Sequence, residues 1–217
     1  MSETIVTPIF PLPNLVFFPR GLLPLHIFEP RYIEMTADAI EGTGVIGMAQ
    51  LRPRWEANYE GSPPIYDVGA LGKIVRHEKL ESGRYNILLY GVKRIQILEE
   101  LDPEDKRYRR ARVSFVESTL SEGSESDLEA AKNRLLALCH RLMEIRPEFG
   151  KTLNTLLSEH QRPDSFSDLI AGFLSSSFSI GAYERQCILE EPDIARRLQL
   201  INVQAGRVVG ELIDGAM

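Results

Sequence analysis

Gly42-Thr43-Gly44-Val45-Ile46-Gly47 has the glycine spacing of a dinucleotide-binding turn. Such a turn needs a strand to enter it and a helix to leave it, because the helix N-terminus then holds the pyrophosphate. Here helical spacing precedes the glycines and strand-like residues 45–50 follow, so the segment reads as a helix stop and a strand entry. Gly150-Lys151-Thr152 matches the end of a phosphate-binding loop, but the position that requires the first glycine is Ile145, on the apolar face of a helix. His26, His77, His140 and His160 form no pair at metal-ligand spacing, and Cys139 and Cys187 are far apart, so both cysteines read as reduced, buried thiols. Ser175-Ser176-Ser177 has no glycine elbow or neighbouring base and marks a helix break. No catalytic residue, metal site or cofactor site follows from these spacings.

Two sets of residues point to binding instead. Lys106, Arg107, Arg109, Arg110 and Arg112 form the one basic cluster, with Tyr108 inside it. Basic groups interleaved with an aromatic suit phosphate or RNA. The acidic run just upstream, Glu99, Glu100, Asp102, Glu104 and Asp105, cancels much of that field, so a solvated and charge-balanced strand edge is the favoured reading. The net charge of −6 also makes nucleic acid a poor main partner. The second set is Phe28, Glu29, Arg31 and Tyr32, with Trp55 and Tyr59 further on. An apolar and aromatic surface rimmed by a few charges is what an extended, partly apolar polypeptide requires. Phe28 and Tyr32, four apart, share one face of any helix there and read first as core, and Glu29 and Arg31 read first as paired surface charges. Trp55 and Tyr59 lie in a proline-rich loop, where they either meet a partner or pin the loop down.

The elements that must position these residues change period along the chain. Prolines interrupt every apolar run in residues 8–30, which excludes a secretory signal and forces short strands and extended turns. No apolar run approaches the roughly twenty residues of a membrane helix. Strand-like spacing covers residues 4–10, 22–27, 44–51, 66–76, 84–90, 92–98 and 107–116, with one helix at 30–40 and a loop at 52–64. That pattern predicts a small closed barrel with one helix over residues 1–118. Residues 119–126 read as a polar hinge, with Ser124 and Asp127 pairing at a helix start. Residues 127–217 read as a helical bundle of four or five members docked on the barrel. Its last helix has Pro192 in the first turn, and Ser165 with Asp168 repeats the capping pattern. The expected fold class is α+β.

The ordered pieces Phe10-Pro11-Leu12, Phe18-Pro19-Arg20-Gly21, Pro24-Leu25-His26-Ile27-Phe28-Glu29 and Arg31-Tyr32 open the chain. Val68-Gly69-Ala70-Leu71-Gly72-Lys73-Ile74 and Arg84-Tyr85-Asn86-Ile87-Leu88-Leu89-Tyr90-Gly91, followed by Arg94-Ile95, come later. Together they resemble the N-terminal substrate-binding domain of Lon proteases, a family that includes free-standing bacterial Lon-domain proteins. The resemblance covers nearly the whole chain and implies a PUA-like barrel, a type related to RNA-binding barrels, followed by a helical bundle. It implies a non-catalytic module for unfolded or extended polypeptides, acting as an adaptor or holdase, in the cytoplasm and alongside a separate ATP-dependent protease. The junction at residues 28–32 is then a contact region. Nothing in the chain resembles the ATPase or serine–lysine peptidase of full Lon proteases. RNA binding by the barrel and the 106–112 cluster is the alternative.

Overall fold

The computed structural model describes residues 3–58, 61–102, 105–122, 124–159 and 162–215. The chain divides into two compact units, Met1–Val116 and Glu117–Met217. The first holds strands β1 (Thr4–Leu12), β2 (Leu22–Ile27), β3 (Val45–Gln50), β4 (Val68–Lys79), β5 (Tyr85–Leu101) and β6 (Arg109–Val116), with helix α1 (Pro30–Glu41) between β2 and β3.

Proline sets where α1 begins. Pro30 occupies its first turn, where the missing N–H is no loss, and Glu29 is the N-cap residue in extended conformation. Tyr32, Met35, Thr36 and Ala39 recur at steps of three and four and are buried. Burying a side chain of the size of Met35, fully enclosed, stabilises by about 1.5 to 3 kcal/mol. The helix stops at Gly42, and Gly44 at φ 73° turns the chain into β3. The order helix, glycines, strand is the reverse of a dinucleotide site. Because α1 carries the chain across, β3 lies parallel to β1.

The six strands form one sheet in the order β2-β5-β4-β3-β1-β6, in which β5 also pairs with β6. The expected closed barrel is corrected in one respect: β5, β4, β3, β1 and β6 roll round until β6 meets β5 again, but β2 is not part of that roll. One edge of β5 serves β2 at Tyr85 to Tyr90 and β6 from Arg94 onward, so β2 stays outside the roll and, among the described residues, pairs with β5 alone. The seventeen-residue length of β5 makes this sharing possible. The spacing predicts two strands, 84–90 and 92–98, where β5 is continuous through Gly91. The role of this glycine is close approach. A Cβ there would fall on the Phe18 carbonyl oxygen and lie 2.9 Å from Pro19 Cα, and the Gly91 N–H donates to Gly21 O at 2.9 Å. Two apolar clusters fill the unit. One joins Phe10, Phe17, Tyr32, Met35 and Leu89 between α1 and the sheet, and the other joins Ile9, Leu51, Ile95 and Val113.

The second unit holds α2 (Glu125–Ile145), α3 (Gly150–Glu159), α4 (Pro163–Ser177), α5 (Ala182–Glu190) and α6 (Ile194–Ile213). Leu128, Ala131, Leu135 and Leu142 of α2 are buried, as are Leu198, Ile201, Ala205 and Val208 of α6. The start signals differ from those expected. Ser124 makes no side-chain cap and donates to Ser121 O at 2.5 Å, while Ser165 lies inside α4, whose N-cap residue is Arg162. Pro192 precedes α6, whose cap is Asp193 accepting from the Arg196 N–H at 3.0 Å. The other oxygen of Asp193 accepts the N–H and hydroxyl of Ser121, and Thr119 bridges to Asp193 by backbone. Residues 119–121 are thus tied to the start of α6. Arg197, wholly buried, donates to Ser167 Oγ, Glu191 O and Ser118 Oγ.

Candidate functional site

The first unit contains a cleft of about 550 Å³. One wall is the entry to α1, Glu29 to Tyr32; the facing wall is Glu100 and Leu101 at the end of β5 with Arg107, Tyr108 and Arg109 at the start of β6. Pro11, Leu51 and the segment 61–63 complete the lining. The apolar part is made of prolines, leucines and two tyrosines, each tyrosine only 5% exposed. Tyr32 is held from behind by Phe10, ring centroids 4.2 Å apart, and carries the Arg31 guanidinium 4.7 Å from its ring centroid.

Each cation at the cleft is matched by a carboxylate. Arg31 donates through Nε and Nη2 to Glu29 Oε2, at 3.1 and 2.9 Å. Arg109 makes a fork on Glu100, at 2.7 and 2.6 Å, and donates Nη1 to Pro63 O at 2.8 Å, which ties the 61–63 segment to β6. Arg107 lies 3.7 Å from Glu34. Outside the cleft, Lys106 and the Tyr108 hydroxyl both donate to Asp38 Oδ2 at 2.6 Å. The Lys106 hydrogen bond, reinforced by that of Tyr108, holds the Asp38 carboxyl below its ordinary value, and the same contact raises Lys106. Burial, then the Asp38 bond, pushes the Tyr108 phenol up.

The structure brings together residues that the sequence divided between two rival readings. Glu29, Arg31 and Tyr32 line the cleft opposite Arg107 and Arg109. Phe28 does not share a helix face with Tyr32, because α1 begins only at Pro30; it is 59% exposed and stacks on His26. Trp55 sits in a short 3-10 turn, partly buried against the Leu51 and Ile65 cluster. Tyr59 and His160 lie outside the described residues. Arg110 donates to the Asp102 carbonyl at 3.5 Å and Arg112 lies 3.6 Å from Glu99, so neither lines the cleft. Sequence reasoning missed Pro11, Leu51, Pro63 and Leu101 in the lining, and Asp38 behind the Tyr108 wall. The signals at hand were Tyr108 amid the arginines and the acidic run beside them. Among the described residues no three His, Cys, Asp or Glu side chains are grouped to hold a metal ion.

Residues 6–204 match the model of the ATP-dependent protease La (LON) substrate-binding domain. The chain belongs to this family. This Lon substrate-binding domain is 32% identical over 196 residues to Lon protease 2 of Myxococcus xanthus, covering 90% of the chain and 23% of that relative. It is 30% identical over 196 residues to the Lon protease of Anaeromyxobacter dehalogenans, covering 90% of the chain and 22% of that relative. The chain thus spans about a quarter of the length of the curated relatives it matches. Its fold is that of the N-terminal domain of a Mycobacterium avium complex Lon protease, with TM-score 0.70 at 15% identity over 93% of this chain and 98% of that one. A Lon N-terminal domain protein from Xanthomonas campestris gives TM-score 0.56 at 18% identity, over 90% of this chain and 95% of that one. No helix among the described residues is long and apolar enough to cross a membrane.

Proposed function

We propose that this Lon substrate-binding domain is a non-catalytic recognition module that holds extended, partly apolar polypeptide segments in the cleft of its first unit. The observation that carries the reading is the pairing of an apolar, tyrosine-lined interior with ion pairs on both walls. A segment with a large apolar side chain would seat it among Pro11, Pro30, Tyr32, Pro63 and Tyr108, while its backbone amides meet the rim groups. Family membership supports the same reading, since the relatives are Lon proteases. In the cell the module would present clients, in the cytoplasm, to an ATP-dependent protease, as an adaptor or a holdase.

The charge match weighs against RNA. Phosphate binding draws its affinity from cations whose counterions are released, and Arg109 is already engaged by the Glu100 carboxylate. Lys106 and Arg107 are turned to Asp38 and Glu34. Titration of a labelled unfolded protein and of single-stranded RNA at two salt concentrations tests the choice. Binding of the unfolded protein with shallow salt dependence is expected; tight RNA binding that falls steeply with salt, and no protein binding, would reverse it.

A further inference from the structure

Glu34 and Asp38 stand one turn apart on α1, so their carboxylates point the same way from one helix face. Both reach the segment that leads into β6. Asp38 Oδ2 accepts from Lys106 Nζ and Tyr108 Oη, each at 2.6 Å, and Glu34 Oε1 accepts from the Arg107 backbone N–H at 3.5 Å. Three consecutive residues are thereby clasped by two carboxylates. The strand ladder of β6 begins only at Arg109, opposite Ile9, so residues 106–108 lie outside it. Neither Glu34 nor Asp38 lines the cleft, whereas Arg107, Tyr108 and Arg109 form much of one wall.

We propose that Asp38, with Glu34 beside it, is a positioning residue of the cleft. It holds the Arg107 to Arg109 wall at a set spacing from the Glu29 to Tyr32 wall and so determines how tightly an extended polypeptide is gripped. The inference rests on the polypeptide reading given above. Its physical basis is preorganisation. Tyr108 lines the cleft while its hydroxyl is fixed by Asp38, which does not, so the side chain is ordered before a ligand arrives. A wall that is loose in the free protein must be ordered at the expense of binding. Because α1 carries both Asp38 and the opposite wall, the clasp joins the two walls through one rigid element. Breaking it alters the spacing without removing any group that would touch the ligand.

The test is fluorescence anisotropy with fluorescein-labelled, reduced and carboxymethylated α-lactalbumin, titrated with the wild-type chain and with Asp38→Ala, Asp38→Asn, Tyr108→Phe and Arg31→Ala variants. Asp38→Ala weakens binding about tenfold, as expected when two or three wall side chains must be ordered on binding. Asp38→Asn loses less, because its amide oxygen still accepts from Tyr108. Arg31→Ala costs less in the Asp38→Ala background than in the wild type, a non-additivity that a simple loss of folded protein would not give. Hydrogen exchange of residues 106–109 rises in Asp38→Ala without ligand. If Asp38→Ala fails to fold, Asp38→Asn and Tyr108→Phe carry the test. A wild type that binds while folded Asp38 variants bind within about twofold of it overturns the positioning role and leaves the polypeptide reading intact. A wild type that binds no unfolded protein overturns both.

Discussion

Asp193 offers the sharpest test of how the second unit is built. One carboxylate oxygen caps α6 through the Arg196 N–H, and the other takes two hydrogen bonds from Ser121. These bonds, that of the Ser121 hydroxyl foremost, draw its pKa from 3.8 down to about 2. Taken in full the shift corresponds to somewhat more than about 2 kcal/mol, and solvent screening of the carboxylate brings the folding contribution to between about 1 and about 2 kcal/mol at neutral pH. Asp193→Asn keeps an acceptor for the cap but gives up the charge and the double acceptance from Ser121, and should lower stability by about that amount. Asp193→Ala also loses the cap and should cost about 1 kcal/mol more. The sign with pH follows from a depressed folded-state value. The contribution is complete above the unfolded-state pKa and fades as pH falls through 3.8 toward about 2. Urea unfolding followed by helical circular dichroism should therefore show a gap between wild type and Asp193→Asn that is full at pH 7 and shrinks between about pH 5 and about pH 3. A gap of equal size at both ends of that range, or none at pH 7, would refute the account.

Three further outcomes follow from the packing. Gly91→Ala should destabilise the first unit by about 3 kcal/mol or more, because the new methyl meets the Phe18 to Arg20 backbone rather than a flexible side chain; thermal unfolding measures it, and a wild-type midpoint would contradict it. Arg197→Leu should cost about 3 kcal/mol or more in urea unfolding, since it removes three hydrogen bonds made by a wholly buried guanidinium, to Ser118, Ser167 and the Glu191 carbonyl. Arg109→Ala should release the 61–63 segment, raising its hydrogen exchange and weakening capture of an unfolded protein, by losing both the Pro63 carbonyl bond and the Glu100 fork.

Much of the fold was legible because local signals agreed with the tertiary result. Pro30 placed the start of α1, the three- and four-residue steps in α2 and α6 matched their buried faces, and the order of helix, glycines and strand disposed of a dinucleotide site. The failures share a cause. Gly91 and Ser124 have strong local meanings, a break and a cap, that a neighbouring segment of chain overrides: residues 18–21 pass across the former, and Ser121 takes the hydroxyl of the latter. Asp193 was hidden behind Pro192, the louder helix-start signal. The open edge of β2 depends on how β5 divides its length between two neighbours, which no alternation pattern encodes. For the site, the residue types were legible but their grouping was not. The sequence separates Arg31 from Arg109 by most of the first unit, and only the return of β6 to β1 brings the basic cluster to the entry of α1. The carboxylate partners of Lys106 and Arg107 lie on α1, not in the acidic run next to them.

The central claim is that the cleft of the first unit is where a polypeptide is held. Hydrogen exchange of the full chain, with and without saturating carboxymethylated α-lactalbumin, tests it most directly. Slowed exchange confined to residues 29–32, 61–63, 100–101 and 107–109 is the predicted result. Protection that spares all four segments and appears only in the helices of the second unit would contradict it.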